Sequence, residues 1–186
     1  MIEAVQFNEV LEVIHEKDDH AIPAGGAMNL PESGSFRTSA LATPLVISVP
    51  KQKTAGQTTD ALVEFVDIYP SLSELTGLKL PAHLEGTSFV PVLENSNRPW
   101  KSAVFGQYPR SSDGQAIMGY SLRTDRYRFV GWLNRKDHSK VVALELYAHQ
   151  KDPQENQNIA NLPENKVLAD DLLKQLRAGW QAAKPK

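Results

Sequence analysis

Four strand-like stretches, each closed by a polar turn and followed by one amphipathic run, constrain this chain more than any other feature. Ala103 to Tyr108, Ile117 to Thr124, Tyr127 to Leu133 and Val141 to Tyr147 are rich in β-branched and aromatic residues. Only a tight turn at Asp125 separates the middle two, too short a link for anything but antiparallel neighbours. Over 164–182, Leu168, Leu172, Leu176 and Trp180 recur on one helical face with Leu173 beside them. Together they predict a small four-stranded antiparallel sheet with a C-terminal helix laid across one face.

The first half has a different rhythm. The β-branched run PLVISV at 44–49, closed by Pro50, reads as a buried strand, and Ala61 to Val66 as a second. Asp67 follows as a helix cap, with Pro70 in the first turn, Ile68, Leu72 and Leu75 on one face, and Gly77 ending the helix. A strand that turns into a helix at an acidic cap is α/β behaviour. Residues 2–16 place Val10, Val13 and Ile14 at helical spacing, although a strand fits them almost as well. Residues 17–43 read as a long loop. The segment ENSNRPW at 94–100 divides the chain into 1–97 and 98–186.

Composition narrows the function classes. The 186 residues are 41% hydrophobic and 23% charged, with a net charge of −2, which fits a globular chain and gives nucleic-acid binding no support. No apolar run reaches the roughly 18 residues of a membrane span. MIEAVQFNEV carries acids where an export leader is basic and then apolar, so no signal peptide is expected in these residues and the compartment stays unknown. The absence of cysteine removes thiolate nucleophiles and cysteine metal sites.

Three groups of residues could carry chemistry. The five histidines are scattered, and each reads most simply as a hydrogen-bonded or surface residue. In EKDDHAIPAGG, Asp18, Asp19 and His20 place hard oxygens and an imidazole side by side, which suits calcium or magnesium; the plain alternative is a solvated charge run. In QYPRSS and MGYSLRTDRYRF, Tyr108, Arg110, Tyr120, Arg123, Arg126 and Arg128 combine aromatic rings with guanidinium forks that match carboxylates and sulfates. The same alternation also describes any half-exposed sheet. Strand spacing would put Arg126 and Arg128 on one face and Tyr127 and Phe129 on the other.

Several blocks, in order, carry a resemblance. TPLVISVP, GQTTDALVEFVDIYPSLSELTGLKLPAHLEGTSFVPVL, AVFGQYPR, MGYSLRTDRYRFVGW and ELYAHQKDPQENQNIAN closely resemble sulfatases of the alkaline-phosphatase superfamily, specifically the iduronate-2-sulfatase-like group. The likeness runs over residues 36–162 and matches the family's C-terminal third, with 1–35 poorly matched. It implies a partial alkaline-phosphatase-like α/β sandwich in 1–97, followed by the antiparallel-sheet subdomain with its closing helix in 98–186.

The resemblance also implies hydrolysis of sulfate esters, glycosaminoglycan sulfates among them. The family's nucleophile is a formylglycine made from C/S-x-P-S-R, with calcium polarising the sulfate. Here the chain departs. Its nearest approach to that motif is SVPKQ at Ser48, so no catalytic residue is assigned. Aligned on Phe36, Asp19 and His20 fall on the family's metal-binding Asp-His, but Ala21, Ile22 and Gly26 replace Gly, Trp and Glu. Glu32 and Ser33 replace a Lys-His whose lysine contacts sulfate. Asp19 and His20 are therefore the metal candidates, and Tyr108, Arg110 and Arg123 the substrate-binding ones.

Three functions follow as expectations. The chain is a C-terminal sulfatase fragment inactive alone and holding calcium weakly; or it complements an N-terminal sulfatase chain or self-associates; or it is a non-catalytic module that grips sulfated sugars. Family members are mostly periplasmic, secreted or lysosomal.

Overall fold

A computed structural model describes residues 5–11, 42–112 and 115–186. Its first sheet is built round β1 (Val5–Leu11), so a strand forms where helical spacing competed with strand spacing. Strand β2 (Ala42–Ile47) pairs antiparallel with it, Val5 opposite Ile47 and Leu11 opposite Ala42, with a bulge between Phe7 and Val10. Two short strands, β3 (Thr58–Thr59) and β4 (Val63–Glu64), pair with β1 in parallel. The strand expected over 61–66 is thus shortened, because a 3-10 turn takes over at Phe65–Asp67. That turn leads into helix α1 (Ile68–Leu75), and α2 (Val90–Glu94) follows, with Pro91 near its start. Val63, Phe89, Val92 and Leu93 form the core here, with Ile68, Leu75 and Trp100 packed on it.

Two readings of α1 are corrected. Asp67 makes no side-chain cap to the helix. Its carboxylate is fully buried and turned away, accepting N–H bonds from Glu64 (2.9 Å) and from Thr87 (2.7 Å). The buried side of α1 is also smaller and more polar than the leucine spacing predicts: Pro70, Ser71 and Ser73 face inward, while Leu72 is 52% exposed. Ser71 explains the rotation. Its hydroxyl donates to the Asp67 carbonyl (2.6 Å) and accepts from Phe89 N–H (2.9 Å), so it ties the helix to the next segment. Gly86 permits that approach, since a Cβ there would lie 1.9 Å from the Val66 carbonyl oxygen.

The second sheet follows the sequence expectation closely. Strands β5 (Val104–Ser112), β6 (Gln115–Arg123), β7 (Tyr127–Asn134) and β8 (Val141–Ala148) form an antiparallel meander in sequence order. Arg126 sits in the turn before β7 and does not share a strand face with Arg128. Helix α3 spans Lys166–Ala178 and is shorter than expected. Gly179, at φ 76°, ends it, and Trp180 belongs to a separate 3-10 turn at Trp180–Ala183. At the close of that turn the Ala183 carbonyl accepts from Ser102 N–H at 3.1 Å, bringing the chain back to the start of β5.

Strand alternation gives this sheet two unlike faces. One face turns Leu122, Phe129 and Leu146 to α3, which answers with Ala169 and Leu172. Gly131 lies under that helix, where an added Cβ would come 3.1 Å from Leu176. The other face packs Val104, Ile117, Val130 and Trp132 against Leu62 of the first half.

Candidate functional site

All three substrate-binding candidates lie on the face turned away from α3. Tyr108 and Arg110 are two apart on β5, opposite Gly119 and Ile117 of β6, and Arg123 stands opposite Val104. Six residues of strand separate Ile117 from Arg123, about 20 Å at strand rise. Arg110 and Arg123 therefore share a face but not a locus.

Their environments differ. Tyr108 packs against the apolar centre around Trp132. Arg123 is 7% exposed and donates from Nη1 to the carbonyl of its neighbour Thr124. Arg110 is half-buried, and its guanidinium carbon sits 4.6 Å above the centroid of the Trp132 indole. Its Nε is buried and has no hydrogen-bond acceptor among the described residues. A cation resting over an aromatic ring, with donors left for a ligand, is suited to an oxoanion.

A polar network continues from Trp132 along the same face. The indole N–H donates to Glu145 Oε1 at 2.8 Å, and the Tyr147 hydroxyl lies 3.4 Å from Glu145 Oε2. Burial, then the neighbouring Glu145 charge, pushes the Tyr147 phenol up to about 12, so it stays protonated. Arg128, 2% exposed, lies 4.6 Å over the Tyr147 ring and 3.9 Å from Glu145. It makes a two-pronged pair with Glu155 through Nε and Nη2, both at 2.7 Å. His149 Nε2 meets the same carboxylate at 2.7 Å. Glu155 holds φ at 55°, a conformation a non-glycine residue adopts at a cost and which these bonds hold in place. Glu145, His149 and Glu155 went unassigned from sequence. The signal for them was the segment ELYAHQKDPQENQNIAN, whose spacing brings Glu145 and Glu155 to Arg128 and His149 to Glu155.

A second buried ionic group joins the two halves. Lys101 Nζ donates to Glu64 (2.6 Å) and to both oxygens of Asp67 (2.8 and 2.7 Å), while Phe105 N–H donates to the other Glu64 oxygen at 3.0 Å. Lys101 consumes the oxygens a metal would need. Among the described residues no cluster of three or more histidine, cysteine or acidic side chains could hold a metal ion. Asp19 and His20 lie outside the described residues. A cleft of about 430 Å³ opens beside Lys101, lined by Thr59, Asp60, Asn97, Arg98 and Trp100, and it takes in none of the predicted binding residues. No described helix is long and apolar enough to cross a membrane.

Residues 35–182 match the family model for N-sulphoglucosamine sulphohydrolase, C-terminal. Among curated proteins, the chain is 25% identical over 177 residues to an ulvan-active sulfatase of Formosa agariphila, covering 81% of this chain and 35% of that one. It is 29% identical over 145 residues to mouse (Mus musculus) iduronate 2-sulfatase, covering 58% and 26%. Among solved structures, that of BT4656 in complex with its substrate D-glucosamine-2-N,6-O-disulfate is 27% identical, with a TM-score of 0.56 over 73% of this chain and 29% of the other. The chain thus spans about a quarter to a third of the length of these relatives.

Proposed function

The chain belongs to the N-sulphoglucosamine sulphohydrolase C-terminal family of sulfatases, with their alkaline-phosphatase-like fold, and on that premise we propose that it is the sugar-facing C-terminal portion of a sulfuric ester hydrolase. The observation that carries this reading is the placement of Tyr108 and Arg110 on the sheet face opposite α3, with the Arg110 Nε lacking an acceptor among the described residues. Arg123 enters only as a second cation at the far end of that face. In this reading the ligand is a sulfated sugar, as in the BT4656 complex. The iduronate-2-sulfatase-like preference is the finer part of the proposal, and the mouse enzyme's name is its support.

We further propose that the 186 residues do not hydrolyse sulfate esters alone. They contain no C/S-x-P-S-R sequence from which a formylglycine could be made. Calcium, where bound, would use Asp19 and His20, but two side chains are few for an ion that takes six to eight oxygens. Purified protein should stay on heparin near physiological salt, and Arg110→Ala should elute earlier. It should also leave an aryl sulfate intact in the presence of calcium. Equal elution of the two proteins would overturn the binding face, and clear turnover would overturn the inactivity.

A second reading, that the chain complements an N-terminal sulfatase chain, rests on one exposed surface. Phe65, Val66, Tyr69 and Leu72 are 37%, 45%, 57% and 52% exposed along α1 and the turn before it, with Leu78 and Leu80 following at 66% and 42%. An apolar strip of this kind is typical of a surface that another chain covers. A monodisperse, stable monomer by sedimentation would weigh against it.

A further inference from the structure

Arg110 does not stand alone on its face. Its guanidinium rests on Trp132, Trp132 is 1% exposed, and the indole N–H is fixed by Glu145. Glu145 is itself 8% exposed and is braced by the Tyr147 hydroxyl and by Arg128. We infer that Trp132 and Glu145 are positioning residues for Arg110, holding its fork ready for an incoming sulfate or carboxylate of the sugar. This rests on the proposed binding face.

The physical basis has three parts. A flexible arginine loses rotamer entropy on binding an anion, and a ring that already fixes the guanidinium plane lowers that loss. The guanidinium carbon lies 4.6 Å from the indole centroid, and the N–H bonds of the fork lie in its own plane, the direction from which a two-oxygen edge is gripped. A carboxylate accepting the indole N–H pushes electron density onto the ring, which strengthens the ring's hold on the cation.

Positioning through Trp132 and plain electrostatics give opposite signs for the loss of the Glu145 charge. Removing an anion beside a site for polyanions should tighten binding by Coulomb attraction alone. If Glu145 acts through Trp132 and Arg110, Glu145→Gln should instead weaken it, although glutamine can still accept the indole N–H. The measurement is titration of the full chain with a heparin oligosaccharide, for wild type, Arg110→Ala, Glu145→Gln, Trp132→Phe, Trp132→Leu and the doubles with Arg110→Ala.

Trp132→Leu should weaken binding about fivefold, in keeping with a buried cation–ring contact, and Trp132→Phe less. In the Arg110→Ala background, neither Trp132→Leu nor Glu145→Gln should have a further effect, a non-additivity that a merely structural role would not produce. If Trp132→Leu does not fold, Trp132→Phe and Glu145→Gln complete the same cycle. Arg110→Ala binding as tightly as wild type would sink the binding face itself. Arg110→Ala binding weakly, with fully additive effects at Trp132 or tighter binding by Glu145→Gln, would overturn the positioning role and leave the face standing.

Discussion

Lys101→Met removes one positive charge and keeps almost the same stem. Lys101 and Glu64 side chains are 6% and 7% exposed and Asp67 is fully buried, so water cannot take over the lost contacts. What remains is a pair of buried carboxylates. Asp67 keeps its bonds from Glu64 N–H and Thr87 N–H, and Glu64 keeps the one from Phe105 N–H. Removing one partner from a buried ion pair costs about 3–5 kcal/mol, because the uncompensated charge stays behind. At a urea sensitivity of about 2 kcal/mol per molar, the unfolding midpoint should fall by about 2 M. The control is Lys166→Met, which loses an exposed pair with Asp170 worth at most about 1 kcal/mol. A Lys101→Met midpoint within about 0.5 M of wild type would refute the assignment of Lys101 as the ionic link between the halves.

Other outcomes follow from the same structure. Gly86→Ala should destabilise by more than about 1 kcal/mol in urea, because its Cβ would meet the Val66 carbonyl and push Thr87 away from Asp67; an unchanged midpoint would show that the two segments have room to part. Glu155→Gln should cost about 3 kcal/mol by removing the two-pronged partner of buried Arg128 and leaving only the more distant Glu145 carboxylate at 3.9 Å, while Arg128→Met with Glu155→Leu should recover much of that loss. Equal melting of single and double variants would argue against the pair. In an alkaline absorbance titration, Tyr147 should ionise near pH 12, a component that Tyr147→Phe removes. Because its folded value lies above that of a free phenol, its contribution to stability is complete below about pH 10 and is lost as the pH rises toward 12. Identical titrations for the two proteins would contradict its burial beside Glu145.

The sheet half was the more legible because its signals are local. Alternation along β5 to β8 and the turn at Asp125 depend on neighbours in sequence, and so does the leucine stripe of α3. The end of α3 was misplaced because Trp180 fits the helical repeat, whereas Gly179 takes a left-handed φ that overrides it. The first half hid its logic in distant contacts. Asp67 carries a good capping side chain, but Lys101 and Thr87, 34 and 20 residues away, compete for it and win. Leu72 completes an apolar spacing, yet Ser71 sets the rotation of α1 by bonding to Phe89 N–H. Tyr108, Arg110 and Arg123 share a face as strand parity requires. That Arg110 lies over the Trp132 ring, while Arg123 donates to the Thr124 carbonyl, is something parity does not reveal.

The bond from Ser102 N–H to the Ala183 carbonyl has a consequence for how such a subdomain can be moved about. It places the entry and exit of the meander and its helix at one point, the knot from which the unit's interior is reached. A segment whose two ends meet can be spliced into another chain, or reopened at a hairpin with its ends joined, without stretching its interior. Lys101, one residue before the knot, is then the natural anchor for whatever body carries it.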